Sequence, residues 1–141
     1  MLPSLDAAPR GSETILLMDT DPETRKLAAF MLGKQGYTVL EARNRADAIA
    51  VFDRLAGEID LLLLEAKGRG RQLAEELKQK HPYMPVLFLS CESARRADSG
   101  IEPGLPSLTK PFTMREIAGK VREVLDARVK KAMTAGGAFL S

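Results

Sequence analysis

Short apolar runs alternate with helical stripes along this chain. Thr14-Ile-Leu-Leu-Met18 is apolar and bounded by acids, which predicts a buried strand. Asp21 then suits a helix N-cap, Pro22 the first turn and Glu23 the helix dipole. Leu27, Phe30 and Met31 recur at helical spacing and are expected to face the core, and Gly36 stops the helix. Tyr37-Thr-Val-Leu-Glu41 reads as a second strand. Asn44 caps a second helix with Ile49, Phe52 and Ala56 inward, and Gly57 ends it. Ile59-Asp-Leu-Leu-Leu-Leu-Glu65 predicts a strand buried on both faces. Its brevity and the flanking Gly57 and Gly68 argue against a buried helix.

Lys67-Gly-Arg-Gly-Arg71 reads as a loop, and Leu73 and Leu77 mark a third helix that stops near His81-Pro82. Pro85-Val-Leu-Phe-Leu-Ser90 is a fourth strand. Residues 91–104 are weakly helical and broken by Gly100, Pro103 and Gly104. Ser107-Leu-Thr109 is a short fifth strand. Thr113 and Glu116 form a capping-box pattern ahead of a helix lined by Met114, Ile117, Val121, Val124 and Leu125. Residues 1–13, with Pro3, Pro9, Gly11 and Ser12, read as a flexible N-terminal arm, 14–130 as one domain, and 131–141 as a flexible C-terminal tail.

Strand and helix alternate five times, which predicts an α/β fold: a parallel sheet covered by helices on both faces. Ligands of such sheets bind beyond the carboxyl ends of the strands. The residues there are Asp19, Thr20 and Asp21 after the first strand, Glu65 after the third, Ser90 after the fourth and Lys110 after the fifth. Asp60 begins its strand and falls at the wrong end. Three acids in one cleft suit a magnesium ion, but residue types alone favour the plainer reading, a salt bridge of Glu65 with Lys110 among capping acids.

Composition changes this picture little. The 141 residues carry a net charge of +2, too small to argue for nucleic-acid or membrane attraction. No apolar run approaches the roughly 20 residues of a membrane helix. The single cysteine, Cys91, excludes an internal disulfide and fits a cytoplasmic setting. It reads as a small packed thiol, and His81, the one histidine, as part of a surface turn, which leaves Ser-His and Cys-His catalysis without support.

Ile15-Leu-Leu-Met-Asp-Thr-Asp-Pro22, Asp60-Leu-Leu-Leu-Leu-Glu65, Pro85-Val-Leu-Phe-Leu-Ser90 and Leu108-Thr-Lys-Pro-Phe112 together resemble the four signature stretches of response-regulator receiver domains, in the right order, over about residues 13–128. The resemblance implies a flavodoxin-like (βα)5 three-layer sandwich with sheet order 2-1-3-4-5. It implies phosphoryl transfer from a histidine kinase onto an aspartate beside magnesium. By position, Asp19 matches the first acid of the family's pair, and Thr20 falls where the second normally sits. Asp21 is an additional acid, Glu65 falls on the phospho-acceptor, Ser90 matches the hydroxyl that senses the phosphoryl group, and Lys110 matches the family lysine. Lys110-Pro111 resembles a joint that is often cis in the family, and Ser107 stands where an aromatic switch residue is usual.

The departures bear on chemistry. Glutamate displaces its carboxylate by on the order of 1.5 Å relative to aspartate, and phosphoryl transfer depends on positioning. Thr20 replaces a charged ligand by a neutral hydroxyl, a poor exchange for a hard cation. The expectation is therefore a pseudo-receiver. Glu65 is not phosphorylated, magnesium at Asp19, Asp21 and Glu65 is weak or absent, and Glu65 acts as a partial phospho-mimic or a salt-bridge partner. Lys67 or Arg69 is a candidate to fold over the acids and replace the metal's charge. The expected partners are proteins: a histidine kinase, another receiver or a second copy through the last-strand and last-helix face, a homodimer included. No nucleic-acid or membrane partner and no separate DNA-binding domain are expected.

The same residues allow two other function classes. An acid–base enzyme would use Asp19, Glu65 and Lys110 on a small substrate, with no visible lid or cofactor motif. Flavin or nucleotide binding is allowed by the fold class, but the acidic, glycine-free Asp19-Thr-Asp21 loop should repel phosphate.

Overall fold

A computed structural model describes residues 8–67, 70–91 and 106–140, with side chains described as far as residue 127. Five strands, β1 (Thr14–Met18), β2 (Thr38–Ala42), β3 (Leu61–Glu65), β4 (Val86–Cys91) and β5 (Ser107–Lys110), form one sheet in the order β2-β1-β3-β4-β5. Every neighbouring pair is parallel. The helices are α1 (Pro22–Lys34), α2 (Arg45–Leu55), α3 (Gly70–Lys80) and α4 (Met114–Leu140), and a 3-10 turn covers Ala56–Glu58. The helix expected between β4 and β5 falls on residues 92–105, outside the described residues, and Arg69 is outside them as well.

Side chains alternate across a strand, so consecutive leucines feed opposite layers. Leu61 and Leu63 join Ile15, Leu17, Ala28, Leu32, Ile117 and Val121 on the α1/α4 side. Leu62 and Leu64 join Leu16, Met18, Phe52, Leu73 and Leu77 on the α2/α3 side. The helix ends follow the sequence signals. Asp21 accepts from the Glu23 amide at 3.2 Å, and Asn44 accepts from the Asp47 amide at 2.9 Å. Thr113 and Glu116 close a reciprocal capping box at 2.8 and 3.1 Å.

One expectation needs correction. On α1 the buried stripe is Arg25, Ala28 and Leu32, whereas Leu27 and Phe30 are exposed and Met31 is only half-buried. Both stripes have helical spacing, and an arginine with partners displaced the more apolar one. Within the segment expected to be an arm, residues 8–13 make hydrogen bonds to the body of the fold. The Gln35 amide donates to the Ala8 and Pro9 carbonyls at 3.0 and 2.8 Å, and the Gly11 amide donates to the Gln35 carbonyl at 3.0 Å. The backbone is helical through Leu140, across the segment read as a tail. His81 sits in a turn as expected, its carbonyl accepting from the Met84 amide at 3.0 Å, and its ring meets Phe52 edge-on at 5.4 Å.

Candidate functional site

The parallel sheet delivers Asp19, Glu65, Ser90 and Lys110 to its carboxyl end, since β1, β3, β4 and β5 all finish there. Asp19 is fully buried. Its Oδ1 accepts from the Asp21 amide at 2.9 Å, and its Oδ2 lies 2.9 Å from Lys110 Nζ. The ammonium and Oδ2 form a buried ion pair. Burial pushes the Asp19 carboxyl up from its ordinary value and the Glu65 charge adds to this, against the pull of Lys110 and the Asp21 amide.

Glu65 is buried, and both its described partners come from one residue: Thr20 donates its amide and its hydroxyl to Oε1, each at 2.8 Å. The expected Glu65–Lys110 bridge is thus replaced. Lys110 serves Asp19, and Thr20 serves Glu65. Ser90 is buried on β4 opposite Thr109 of β5. The Lys110–Pro111 peptide is cis. Asp21 is exposed and committed to the helix cap, where the Thr24 hydroxyl at 2.6 Å and the Glu23 amide hold its carboxyl below the ordinary value. Lys67 is exposed, and the cation facing Asp19 is Lys110. Asp60 lies at the opposite end, accepting from the Thr14 amide at 2.9 Å.

These residues do not fit a magnesium ion. Among the described residues no three His, Cys, Asp or Glu side chains are grouped to hold a metal. Position 20 offers no carboxylate, Glu65 Oε1 already accepts two hydrogen bonds, and an ammonium sits on Asp19 Oδ2. The three proposed acid ligands therefore do not converge: Asp19 and Glu65 do, and Asp21 does not.

Arg25 escaped the sequence reading. It is buried on α1, donates from Nη1 to the Asp19 carbonyl at 2.9 Å and from Nε to Glu41 Oε1 at 3.2 Å, and so fixes the turn that carries Asp19. Its i, i+3, i+7 relation to Ala28 and Leu32 was the available signal. Gly70 was missed too. A Cβ there would lie 1.6 Å from the Glu65 carbonyl oxygen, so α3 returns against the end of β3 only because position 70 has no side chain. An open cavity of about 350 Å3 lies elsewhere, lined by Arg71, Ala74 and Lys78 of α3, Met84 of the following loop, Phe88 of β4 and Val124 of α4.

A family model described as the response regulator receiver domain matches residues 15–122. The sensor kinase CckA of Brucella abortus is 30% identical over 82% of this chain and 13% of its own length. The transcriptional regulatory protein CpxR of Klebsiella pneumoniae is 33% identical over 79% of this chain and 48% of its own. The chain thus spans less than half the length of either relative. The crystal structure of NtrX from Brucella abortus in complex with ADP superposes with a TM-score of 0.80 at 23% identity, over 89% of this chain and 30% of that one, which is a likeness of fold.

Proposed function

The chain belongs to the response regulator receiver domain family, and we propose that it is a signalling module with Glu65 at the phospho-acceptor position, working by protein–protein contact without phosphorylation there. Receiver domains are signalling modules that interact with histidine kinases and other proteins. The observation that carries the finer reading is the double hydrogen bond from Thr20 to Glu65 Oε1, both at 2.8 Å. An acceptor needs a carboxylate oxygen free for in-line attack. Here Thr20 engages Oε1 and holds the carboxylate toward β1, position 20 supplies no second acid, and an ammonium faces Asp19, so the metal-assisted positioning on which phosphoryl transfer depends has no support.

Its partners on this reading are a histidine kinase, another receiver or a second copy docking on β5 and α4. The small net charge of +2 supports a protein partner over nucleic acid. No helix among the described residues is long and apolar enough to cross a membrane. A cytoplasmic setting agrees with the single free thiol of Cys91.

Incubation with acetyl phosphate and magnesium, followed by mass spectrometry of the intact chain, tests this reading. The expected result is no phosphoryl adduct, and backbone NMR resonances around Glu65 that beryllofluoride leaves in place. An adduct on Glu65 that hydroxylamine removes would return the chain to the phosphorylated receivers.

A further inference from the structure

We propose that Thr20 and Glu65 are a matched pair whose two hydrogen bonds cross-link the ends of β1 and β3, the job a divalent cation would do between two carboxylates. The regulatory consequence rests on the reading of Glu65 as the acceptor-position residue. The geometry stands without it. Thr20 and Glu65 are 45 residues apart, and the Thr20 amide and hydroxyl converge on one oxygen at 2.8 Å each.

The pairing accounts for both residue types at once. An aspartate at 65 would withdraw its carboxylate by about 1.5 Å, beyond reach of the two donors. An aspartate at 20 would set a second carboxylate against Glu65 and beside buried Asp19, with Lys110 as the described cation at the cleft. Each change alone is therefore unfavourable. Together they reopen a gap between two carboxylates that a hard cation can fill. With the clasp in place, each buried acid has its own answer: an ammonium for Asp19 and two donors for Glu65. The carboxyl end of the sheet is closed without an ion, and a magnesium pulse has nothing to switch.

The test is a set of four chains: native, Thr20→Asp, Glu65→Asp and the double variant. Urea unfolding is followed with and without ~10 mM magnesium, well above the millimolar affinities of weak sites. Each single variant should raise the unfolding equilibrium constant about tenfold, a typical cost for charged hydrogen bonds or like-charge contacts. The double variant should be less destabilised than either single. Magnesium should stabilise the double variant and leave the native chain unmoved. A Thr20→Val chain, which keeps the fold's volume and removes one donor, should lose several-fold in stability and show faster amide exchange at Thr20. Additive effects of the two aspartates overturn the proposal, and so does magnesium-dependent stabilisation of the native chain. The two readings fail separately: additivity removes the clasp, whereas labelling of Glu65 removes phosphorylation independence.

Discussion

Each end of the sheet joins remote segments through an acid and a base, and the two ends do it differently. At the carboxyl end, Asp19 is buried and meets Lys110 through one atom at 2.9 Å. At the amino end, Glu13 and Arg122 meet as a fork, Nη1 to Oε1 at 3.1 Å and Nη2 to Oε2 at 2.7 Å. Arg122 also donates to the Tyr37 hydroxyl at 3.3 Å and binds Asp126 at 3.0 Å. The outcome is opposite. Burial pushes Asp19 up, while the Arg122 hydrogen bonds hold Glu13 down at about 2. The fork is half-solvated and fully paired, so the charged state is favoured there. At the cleft the desolvation of Asp19 outweighs both the Lys110 ammonium and the Asp21 amide, so the charged state is disfavoured. The two ends thus hold one carboxylate whose charge is disfavoured by burial and one whose charge is favoured by its partners.

The largest expected effects come from the two glycines that let each end close. Gly70→Ala drives a Cβ to 1.6 Å from the Glu65 carbonyl oxygen, and Gly36→Ala combines a 2.2 Å approach to the Gly11 carbonyl with a φ of +104°. The first should lower unfolding free energy by about 3 kcal/mol or more and the second by about 2 kcal/mol. Chemical denaturation reads both. A loss under about 1 kcal/mol at Gly70 would mean that α3 does not press on β3 as described.

Removing the bases separates the ends next. Lys110→Met leaves Asp19 buried without its cation and should cost about 3 kcal/mol, tempered by proton uptake at Asp19. Arg122→Met leaves Glu13 access to water and should cost about 1 kcal/mol. Equal losses in urea titrations would erase the contrast between buried and half-solvated pairs.

The sequence made the carboxyl end legible because topology does the gathering. Once strands and helices alternate, the residues after each strand must share a rim, and Asp19, Glu65, Ser90 and Lys110 do. Pairings within that rim were not legible, because a bridge from Lys110 to Glu65 and one to Asp19 satisfy the same composition. Position places Thr20 in the pocket as a substitute for a metal ligand, but does not show that its amide and hydroxyl both bond Glu65 Oε1. The amino end was hidden for another reason. Pro9, Gly11 and Ser12 have no apolar period, yet the segment is held by backbone carbonyls, a side-chain amide and one ion pair, which leave no periodic trace. Arg25 shows the same blindness on α1, where hydrogen bonding outweighed the apolarity of Leu27 and Phe30.

A smaller change sharpens the amino end alone. Gln35→Ala removes the amide that spans the Ala8 and Pro9 carbonyls and should cost about 1 kcal/mol. Because Gly11 and Thr38 bond this segment through their own amides, their hydrogen exchange should quicken several-fold while β3 amides stay protected. Uniform quickening across the sheet would instead make the segment part of the global folding unit.

The smallest net effect is expected from acid, because the two ends respond with opposite signs. Glu13 is held at about 2 in the fold against an ordinary 4.5, so its contribution is complete above 4.5 and is lost as pH falls toward 2. Asp19 is raised above its ordinary 3.8, so the fold takes up a proton there before the unfolded chain does. Its burden is greatest at neutral pH and is relieved as pH falls through the raised value toward 3.8. Mild acid should therefore slightly stabilise the chain through Asp19, and stronger acid should destabilise it through Glu13. Carboxyl-carbon NMR separates the two directly, with Asp19 titrating above the usual carboxylate range and Glu13 below it. Glu13→Gln should flatten the loss at low pH, and Asp19→Asn should remove the gain at mild acid. If both carboxyls move to the same side of their ordinary values, the two ends of the sheet are electrostatically alike, and the division of labour between them is wrong.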